Sequence, residues 1–175
     1  KIMSEVCVFL ADGFEEIEAL TVVDLLRRAK VYVDTVSITD DYTVRGAHGI
    51  PVQTEDLITE IDFKESDMIV LPGGMPGTTN LKEDENVRKA VQEAYDDGRY
   101  VAAICAAPTI LADMGLLKGK RATCYPDMES EIEDAYLTGA PVATDENIIT
   151  SQGVGTAIDF ALKLIEVLDG EEKAK

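Results

Sequence analysis

The residue whose surroundings most favour chemistry is Cys105. It lies within AAICAAP at 102–108, where small residues flank it between a strand-like and a helix-like segment. Such a sharp strand-to-helix turn, a nucleophile elbow, holds a side chain exposed in strained backbone geometry. A helix N-terminus also favours a thiolate, so the pattern predicts a lowered pKa and a nucleophilic sulfur. A buried structural cysteine is the commoner alternative, but the position between these two elements favours the reactive one.

A glutamate on the first predicted helix is the candidate acid for this thiol. Glu18 falls on the apolar stripe of that helix. The stripe consists of Phe14, Glu18, Thr21, Val22 and Leu25. Burial raises the pKa of a carboxyl group, and a neutral glutamic acid can donate a hydrogen bond to a thiolate. The alternative is that Glu18 lies at the edge of the stripe, beside solvated Glu15 and Glu16.

A glycine loop, LPGGMPG at 71–77, follows another apolar strand-like segment. Glycines let the backbone approach a ligand closely or turn its N–H groups toward an anion. The loop lacks the Lys-Ser/Thr ending of a phosphate-binding P-loop. A tight turn without function is the alternative, but together with the cysteine turn the loop predicts an oxyanion hole formed by the N–H groups of Gly74 and Ala106.

The remaining thiols and the single histidine are weaker candidates. Cys7 lies among apolar strand residues, which predicts core packing, and Cys124 adjoins a strand end, where packing is favoured over an approach to the site. The spacing of the three cysteines indicates neither a disulfide framework nor a metal site. His48 lies in RGAHG at 45–49, a predicted surface excursion, so the alternatives are an ordinary loop histidine or one that reaches a site, including across a subunit interface.

Strand-like and helix-like segments alternate along the chain. Short apolar runs predict strands, and segments with helical periodicity predict helices. The strands are predicted at 6–10, 31–38, 68–71, 100–104, 121–124 and a pair within 142–151, the helices at 14–28, 86–95, 108–114 and 156–168, and a hairpin-like excursion at 43–54. This order predicts an α/β fold with a mostly parallel sheet and helices on both faces, whose ligands bind at the carboxyl ends of the strands.

Length and charge limit the class of protein. The 175 residues, 46% of them hydrophobic, predict a single domain over 1–175 with a frayed tail at about 170–175. A formal net charge of −18 argues against nucleic acid or an anionic membrane as a partner. No apolar run is long enough to span a membrane and the N-terminus lacks a secretory pattern, so we expect a cytoplasmic protein.

Four blocks of the sequence together resemble the ThiJ/PfpI superfamily, and its Parkinsonism-associated deglycase branch most of all. They occur in the order of that family across nearly the whole chain, which makes the match more specific than any single block. The blocks are LADGFEEIE at 10–18, VLPGG at 70–74, AICAAP at 103–108 and TSQGVGT at 150–156.

The resemblance implies a flavodoxin-like, Rossmann-like fold and a homodimer. It implies Cys105 as the nucleophile on the elbow, Glu18 as the protonated acid that touches it, and Gly74 and Ala106 as oxyanion donors. Members act on methylglyoxal or its protein adducts as glyoxalase III or deglycase, serve as oxidation sensors or chaperones, or in other branches act as proteases or amidases. None of these roles requires a cofactor.

The chain also departs from the pattern of the family. Tyr125 stands where several members have a histidine, so Asp24 lacks its histidine partner. Gln152 stands where many relatives carry an arginine of an anion pocket, and His48 lies near the expected position of another pocket arginine. These changes weaken the case for a strongly anionic substrate.

Two hypotheses follow for the function. The first is a cofactor-independent cysteine enzyme that acts on a small reactive aldehyde such as methylglyoxal, with Cys105 adding to the carbonyl and Glu18 moving a proton. The second is a redox-responsive stress protein or chaperone in which Cys105 is oxidised to a sulfinic acid. A peptidase or amidase is less favoured, because it needs a general base that Tyr125 does not provide at neutral pH.

Overall fold

The computed structural model describes residues 4–169, and the predicted frayed tail at 170–175 lies outside them. Elements are numbered in chain order. The strands are β1 Glu5–Leu10, β2 Tyr32–Ser37, β3 Thr43–Arg45, β4 Pro51–Gln53, β5 Asp56–Leu57, β6 Met68–Leu71, β7 Tyr100–Ile104, β8 Arg121–Ala122, β9 Tyr136–Leu137, β10 Val142–Asp145 and β11 Ile148–Ser151. The helices are α1 Glu16–Arg28, α2 Gly77–Glu83, α3 Glu85–Asp96, α4 Pro108–Asp113 and α5 Ala157–Asp169.

Seven strands form the main sheet, in the order β10-β11-β7-β6-β1-β2-β5. All neighbours are parallel except β10 and β11, which are antiparallel. Strand β1 lies between β2 and β6, so the chain winds away from it in both directions. In a doubly wound sheet, the crevice at the carboxyl ends of such strands is where ligands bind.

Helices cover both faces of the sheet, as predicted. The side chains of β1 alternate between two apolar cores, with Cys7 and Phe9 in one and Val6, Val8 and Leu10 in the other. The first core includes residues of α2, α3 and α4, and the second includes residues of α1 and α5. Because both faces of β1 are buried, its sequence is a continuous apolar run rather than an alternating one. The flavodoxin-like α/β fold class is therefore confirmed.

Helix α1 places the carboxyl group of Glu18 beside the loop that follows β6. Its N-cap is Glu15, whose side-chain Oε1 accepts a hydrogen bond from the Ile17 N–H at 3.4 Å. Arg27 and Arg28 occupy its last turn, where cations interact favourably with the helix dipole. Glu18, in the first turn, lies on the buried side of the helix.

Some local elements differ from the sequence prediction. Helix α2 was not predicted, and the predicted strand at 121–124 is only the two-residue β8, which pairs with β9 in a separate small sheet. The predicted excursion at 43–54 contains the antiparallel pair β3 and β4. Within residues 4–169, no helix combines the length and apolar character needed to cross a bilayer.

Candidate active site

Cys105 occupies a strained turn directly after β7. Its φ angle is +64°, in the left-handed region that residues other than glycine rarely adopt. Its N–H donates to Ser151 O at 2.9 Å, and its carbonyl accepts from the Tyr125 N–H at 2.8 Å. Two separate chain segments therefore hold this backbone conformation. The residue has the geometry of a nucleophile elbow, with α4 beginning three residues later.

Glu18 is completely buried beside Cys105. Its Oε1 accepts a hydrogen bond from the Gly73 N–H at 2.9 Å, while Oε2 has no nitrogen or oxygen partner among residues 4–169. A Cβ atom placed on Gly153 would lie 3.7 Å from Cys105 Sγ and 3.9 Å from Glu18 Oε2, so both atoms border the same space. The free carboxyl oxygen thus faces the thiol, and the alternative of a solvated Glu18 at the edge of the helix does not hold.

The surroundings raise the pKa of both groups. Burial raises the pKa of Glu18 from 4.5 to about 7, although the interactions with Cys105 and the Gly73 N–H oppose the shift. Burial, and then the negative charge of Glu18, raise the pKa of Cys105 from 9.0 to about 12, against the Ala106 N–H, which lowers it. The predicted lowering of the Cys105 pKa is therefore wrong. At a pH between these two pKa values, Cys105 and Glu18 together hold one proton. A thiolate forms when that proton moves from the sulfur to Glu18.

The two predicted oxyanion donors lie on different loops, Ala106 after β7 and Gly74 after β6. The Ala106 N–H points to Cys105 Sγ. Gly74 has a φ angle of +94°, and a Cβ at this position would lie 2.4 Å from the backbone nitrogen of Glu15, so only glycine fits there. The Gly74 N–H makes no hydrogen bond to another described residue. Only the Ala106 N–H is seen to contact the thiol, and the oxyanion role of both N–H groups stays a prediction.

The other predicted pocket residues have different surroundings. Tyr125 is 43% exposed, and its ring edge lies 3.8 Å from the position of a Cβ on Gly153, so it forms a wall next to the sulfur. Gln152 turns its amide to Gly139 O at 3.3 Å. Asp24 accepts a hydrogen bond from Arg28 at 2.9 Å, on the exposed face of α1.

The other two cysteines are packing residues, as predicted. Cys7 is buried, and its Sγ lies 3.0 Å from the hydroxyl of Ser66. Cys124 is also buried and donates its thiol hydrogen to Tyr125 O at 3.3 Å. Burial raises the pKa of each to about 11, which leaves both as neutral thiols.

His48 lies in the turn between β3 and β4, and its side chain contacts the start of α1. Its Nδ1 is 3.0 Å from Glu16 Oε1 and 3.4 Å from Glu15 Oε2. Ligand atoms of these three residues lie within 4.8 Å of one another, and no other such group occurs among residues 4–169. Because the ring nitrogen faces the carboxylates at hydrogen-bonding distance, we interpret the group as an ion pair and assign no metal to it.

Two neighbours of the sulfur were not predicted as site residues. Gly153 leaves the space beside Cys105 open, and Glu15 donates its N–H to Gly73 O at 2.9 Å, which ties α1 to the glycine loop. A sequence signal exists for Gly153, because it lies two residues after the buried strand β11 and next to Gln152. No local signal exists for Glu15, since its contact depends on β1 and β6 being neighbours.

Comparison with known proteins agrees with this geometry. The model of the DJ-1/PfpI family matches residues 4–167. Protein DJ-1 homolog B of Arabidopsis thaliana is 40% identical over 172 residues, 97% of this chain, which spans 39% of that relative. The glutathione-independent glyoxalase DJ-1 of Schizosaccharomyces pombe is 34% identical over 182 residues, covering 98% of this chain and 94% of the relative.

Solved structures show the same likeness. The structure described as oxidised DJ-1 of Toxoplasma gondii superposes with a TM-score of 0.93 at 36% identity, covering 98% of this chain and 94% of that one. The family match extends from before β1 almost to the end of α5, and thus includes every residue of the site described above. The chain therefore belongs to the DJ-1/PfpI family.

Proposed function

We propose that this protein is a cofactor-independent cysteine enzyme that acts on small reactive aldehydes such as methylglyoxal. The observation that carries the proposal is the buried carboxyl of Glu18 beside the thiol of Cys105, with a pKa raised to about 7. A general acid–base group works best when its pKa lies near the working pH. Relatives from Schizosaccharomyces pombe and Caenorhabditis elegans named glutathione-independent glyoxalases support the substrate class.

The first step forms a bond between sulfur and the aldehyde carbon. The thiol proton moves to Glu18 as Cys105 Sγ attacks, and Glu18 returns it to the carbonyl oxygen, which yields a hemithioacetal. The N–H groups of Ala106 and Gly74 would stabilise the negative charge on that oxygen.

The second step is an internal redox reaction of the substrate. Glu18 transfers a proton from the former aldehyde carbon to the neighbouring carbon, and the hydroxyl proton on the former aldehyde oxygen moves to the ketone oxygen. The former aldehyde carbon is thereby oxidised to a thioester while the ketone is reduced to an alcohol. Water then cleaves the thioester, releases lactate and restores the thiol. The balance is one methylglyoxal and one water for one lactate, with no outside oxidant or reductant.

Lactate formation from methylglyoxal tests the proposal. We expect Cys105→Ala to abolish it and Glu18→Gln, which keeps the shape but cannot exchange a carboxyl proton, to reduce it by about 10²-fold or more. Cys7→Ala is the matched control, because that buried thiol bonds to Ser66 and lies on β1 rather than at the elbow. Turnover by Cys105→Ala equal to that of the unaltered protein would refute the proposal.

A second candidate function is the sensing of peroxide through Cys105. It is favoured by the free Oε2 of Glu18, which in its protonated form can donate a hydrogen bond to an oxidised sulfur, and by the related structure described as oxidised. One peroxide oxidises the thiol to a sulfenic acid and releases water, and a second gives the sulfinic acid. Intact mass analysis should find two added oxygen atoms on Cys105. An unmodified Cys105 under conditions that oxidise a free thiol peptide would exclude this role.

A homodimer remains a proposal for the assembly. Apolar side chains are exposed at the start of α1, at the turn before β4 and on α5, namely Ile17, Leu20, Ile50 and Ile158. Exposed apolar residues on neighbouring elements often mark protein interfaces. Light scattering should give twice the chain mass, and Leu20→Glu should lower it to a monomer. Location in the cytoplasm stays a prediction.

A further inference from the structure

We infer that His48 is a positioning residue for Cys105: its protonated ring pairs with Glu15 and Glu16 and offsets the charge of Glu15, whose backbone is bonded to the glycine loop beside the Cys105–Glu18 pair. The inference concerns how the proposed reactive cysteine is tuned, so it rests on the proposed function. The tests below measure the thiol and the ring directly and need no turnover. A protein without aldehyde activity could therefore still pass them, which keeps the two failures distinguishable.

Glu16 holds the turn between β3 and β4 at the start of α1. Its carboxylate is 5% exposed, and Oε2 accepts from the His48 N–H at 2.9 Å and from the Ile50 N–H at 3.2 Å. A Cβ at Gly46 would lie 2.4 Å from this carboxylate, so the turn packs directly on it. The backbone of His48 is therefore fixed, although 69% of its side chain is exposed.

The charges around the ring favour its protonated form. Burial acts to raise the pKa of Glu16, but the hydrogen bonds from His48 and Ile50 outweigh it and hold the pKa below its usual value. Glu16 is therefore an acceptor, and Nδ1 of His48 must donate. The hydrogen bond with Glu16 and the charge of Glu15 raise the pKa of His48.

The other charged groups of this turn have partners of their own. Arg45 Nη1 donates to Gly49 O at 2.6 Å, and Asp12 accepts the Arg45 N–H at 3.0 Å. Among the described residues, His48 is thus the cation in contact with Glu15 and Glu16.

Glu15 links this ion pair to the sulfur. Its N–H donates to Gly73 O, and the N–H of the same glycine donates to Glu18. The charge of Glu15 raises the pKa of both Cys105 and Glu18. When His48 is protonated it offsets part of that charge, and when it loses its proton the thiolate becomes less favourable.

The rate of Cys105 alkylation by iodoacetamide, a neutral reagent, measures the thiolate. We expect His48→Gln, which keeps a hydrogen-bond donor but no charge, to slow alkylation about twofold at neutral pH, since solvent screens the exposed ring. His48→Arg, a permanent cation, should restore the rate. In a Glu15→Gln background, alkylation should be faster and His48→Gln should have little further effect. Equal rates for His48→Gln and the unaltered protein at every pH would overturn the inference.

The single histidine allows a second, independent measurement. Its ring proton gives the one histidine titration in the NMR spectrum, so the pKa of His48 is read without assignment. Glu15→Gln should lower this pKa. Because Glu18 also titrates near pH 7, the alkylation rates of two proteins are compared as a ratio: the rate of His48→Arg relative to the unaltered protein should rise with pH through the range in which His48 loses its proton. An unshifted His48 pKa in Glu15→Gln, or a ratio of the alkylation rates of His48→Arg and the unaltered protein that does not change with pH, would also overturn the inference.

Discussion

The pH dependence of stability should identify Glu18 as a carboxyl that is buried in its neutral form. Its pKa rises from 4.5 to about 7 on folding, and at about 1.4 kcal/mol per unit this corresponds to about 3 kcal/mol. A raised carboxyl pKa means that the folded state binds the extra proton, so the stability contributed by Glu18 is complete below pH 4.5 and is lost as pH rises through about 7. Glu18→Gln removes this proton, so its stability relative to the unaltered protein should rise by up to about 3 kcal/mol over the same range.

Urea unfolding midpoints between pH 4.5 and 8 measure this difference, provided that the slope with urea stays constant. Glu16→Gln is the matched control, because Glu16 is buried two residues away on the same helix but has a lowered pKa. The stabilisation by ionised Glu16 is present above its ordinary pKa of 4.5 and is lost as pH falls below it. The stability deficit of Glu16→Gln should therefore not shrink between pH 4.5 and 8, the opposite of what is expected for Glu18→Gln. A stability difference for Glu18→Gln that does not change between pH 4.5 and 8 would refute the assignment.

Three further predictions concern two glycines near the site and a second carboxyl group with a raised pKa. Gly74→Ala should destabilise the fold by more than about 2 kcal/mol in thermal unfolding, because its φ is +94° and a backbone atom lies 2.4 Å from the new Cβ. Gly98→Ala is the control: its φ is +75° but the space around the new Cβ is open, so the substitution should cost about 1 kcal/mol. Gly153→Ala should leave the melting temperature unchanged but slow alkylation of Cys105 by bulky reagents more than by small ones, because the methyl would lie 3.7 Å from Sγ. Asp34→Asn should stabilise the protein more at pH 8 than at pH 5, because burial and Asp56 raise the pKa of Asp34 to about 6. The difference in stabilisation between the two pH values should be about 1–2 kcal/mol after solvent screening. An equal effect at both pH values would contradict this.

The elements around the elbow were predictable because their signals are local. The apolar run of β7, the small residues around Cys105 and the proline at position 108 each act within a few residues, and together they determine a strand, a sharp turn and a helix start. Helix α2 escaped prediction because its first turn, Gly77 to Asn80, contains residues of low helix propensity.

The electrostatics of the site were less predictable because they depend on distant contacts. Placing the thiol at a helix N-terminus predicted a lowered pKa, but α4 has only six residues, and burial and the charge of Glu18 act in the opposite direction. The sequence left the burial of Glu18 open, since only the adjacency of β1 and β6 brings Gly73 over it. The pairing of His48 with Glu16 joins residues 32 positions apart and has no signature in either segment.

The backbone hydrogen bonds of Cys105 limit how the protein responds when its sulfur is modified. Ser151 holds the residue from one side and Tyr125 from the other, so a larger or charged sulfur group cannot be relieved by shifting the turn without breaking main-chain bonds from two segments. Glu18 is fully enclosed, whereas Tyr125 is 43% exposed. A chemical change at the sulfur would thus reach the protein surface first as a movement of the Tyr125 ring, where a partner or a fluorescence probe could detect it.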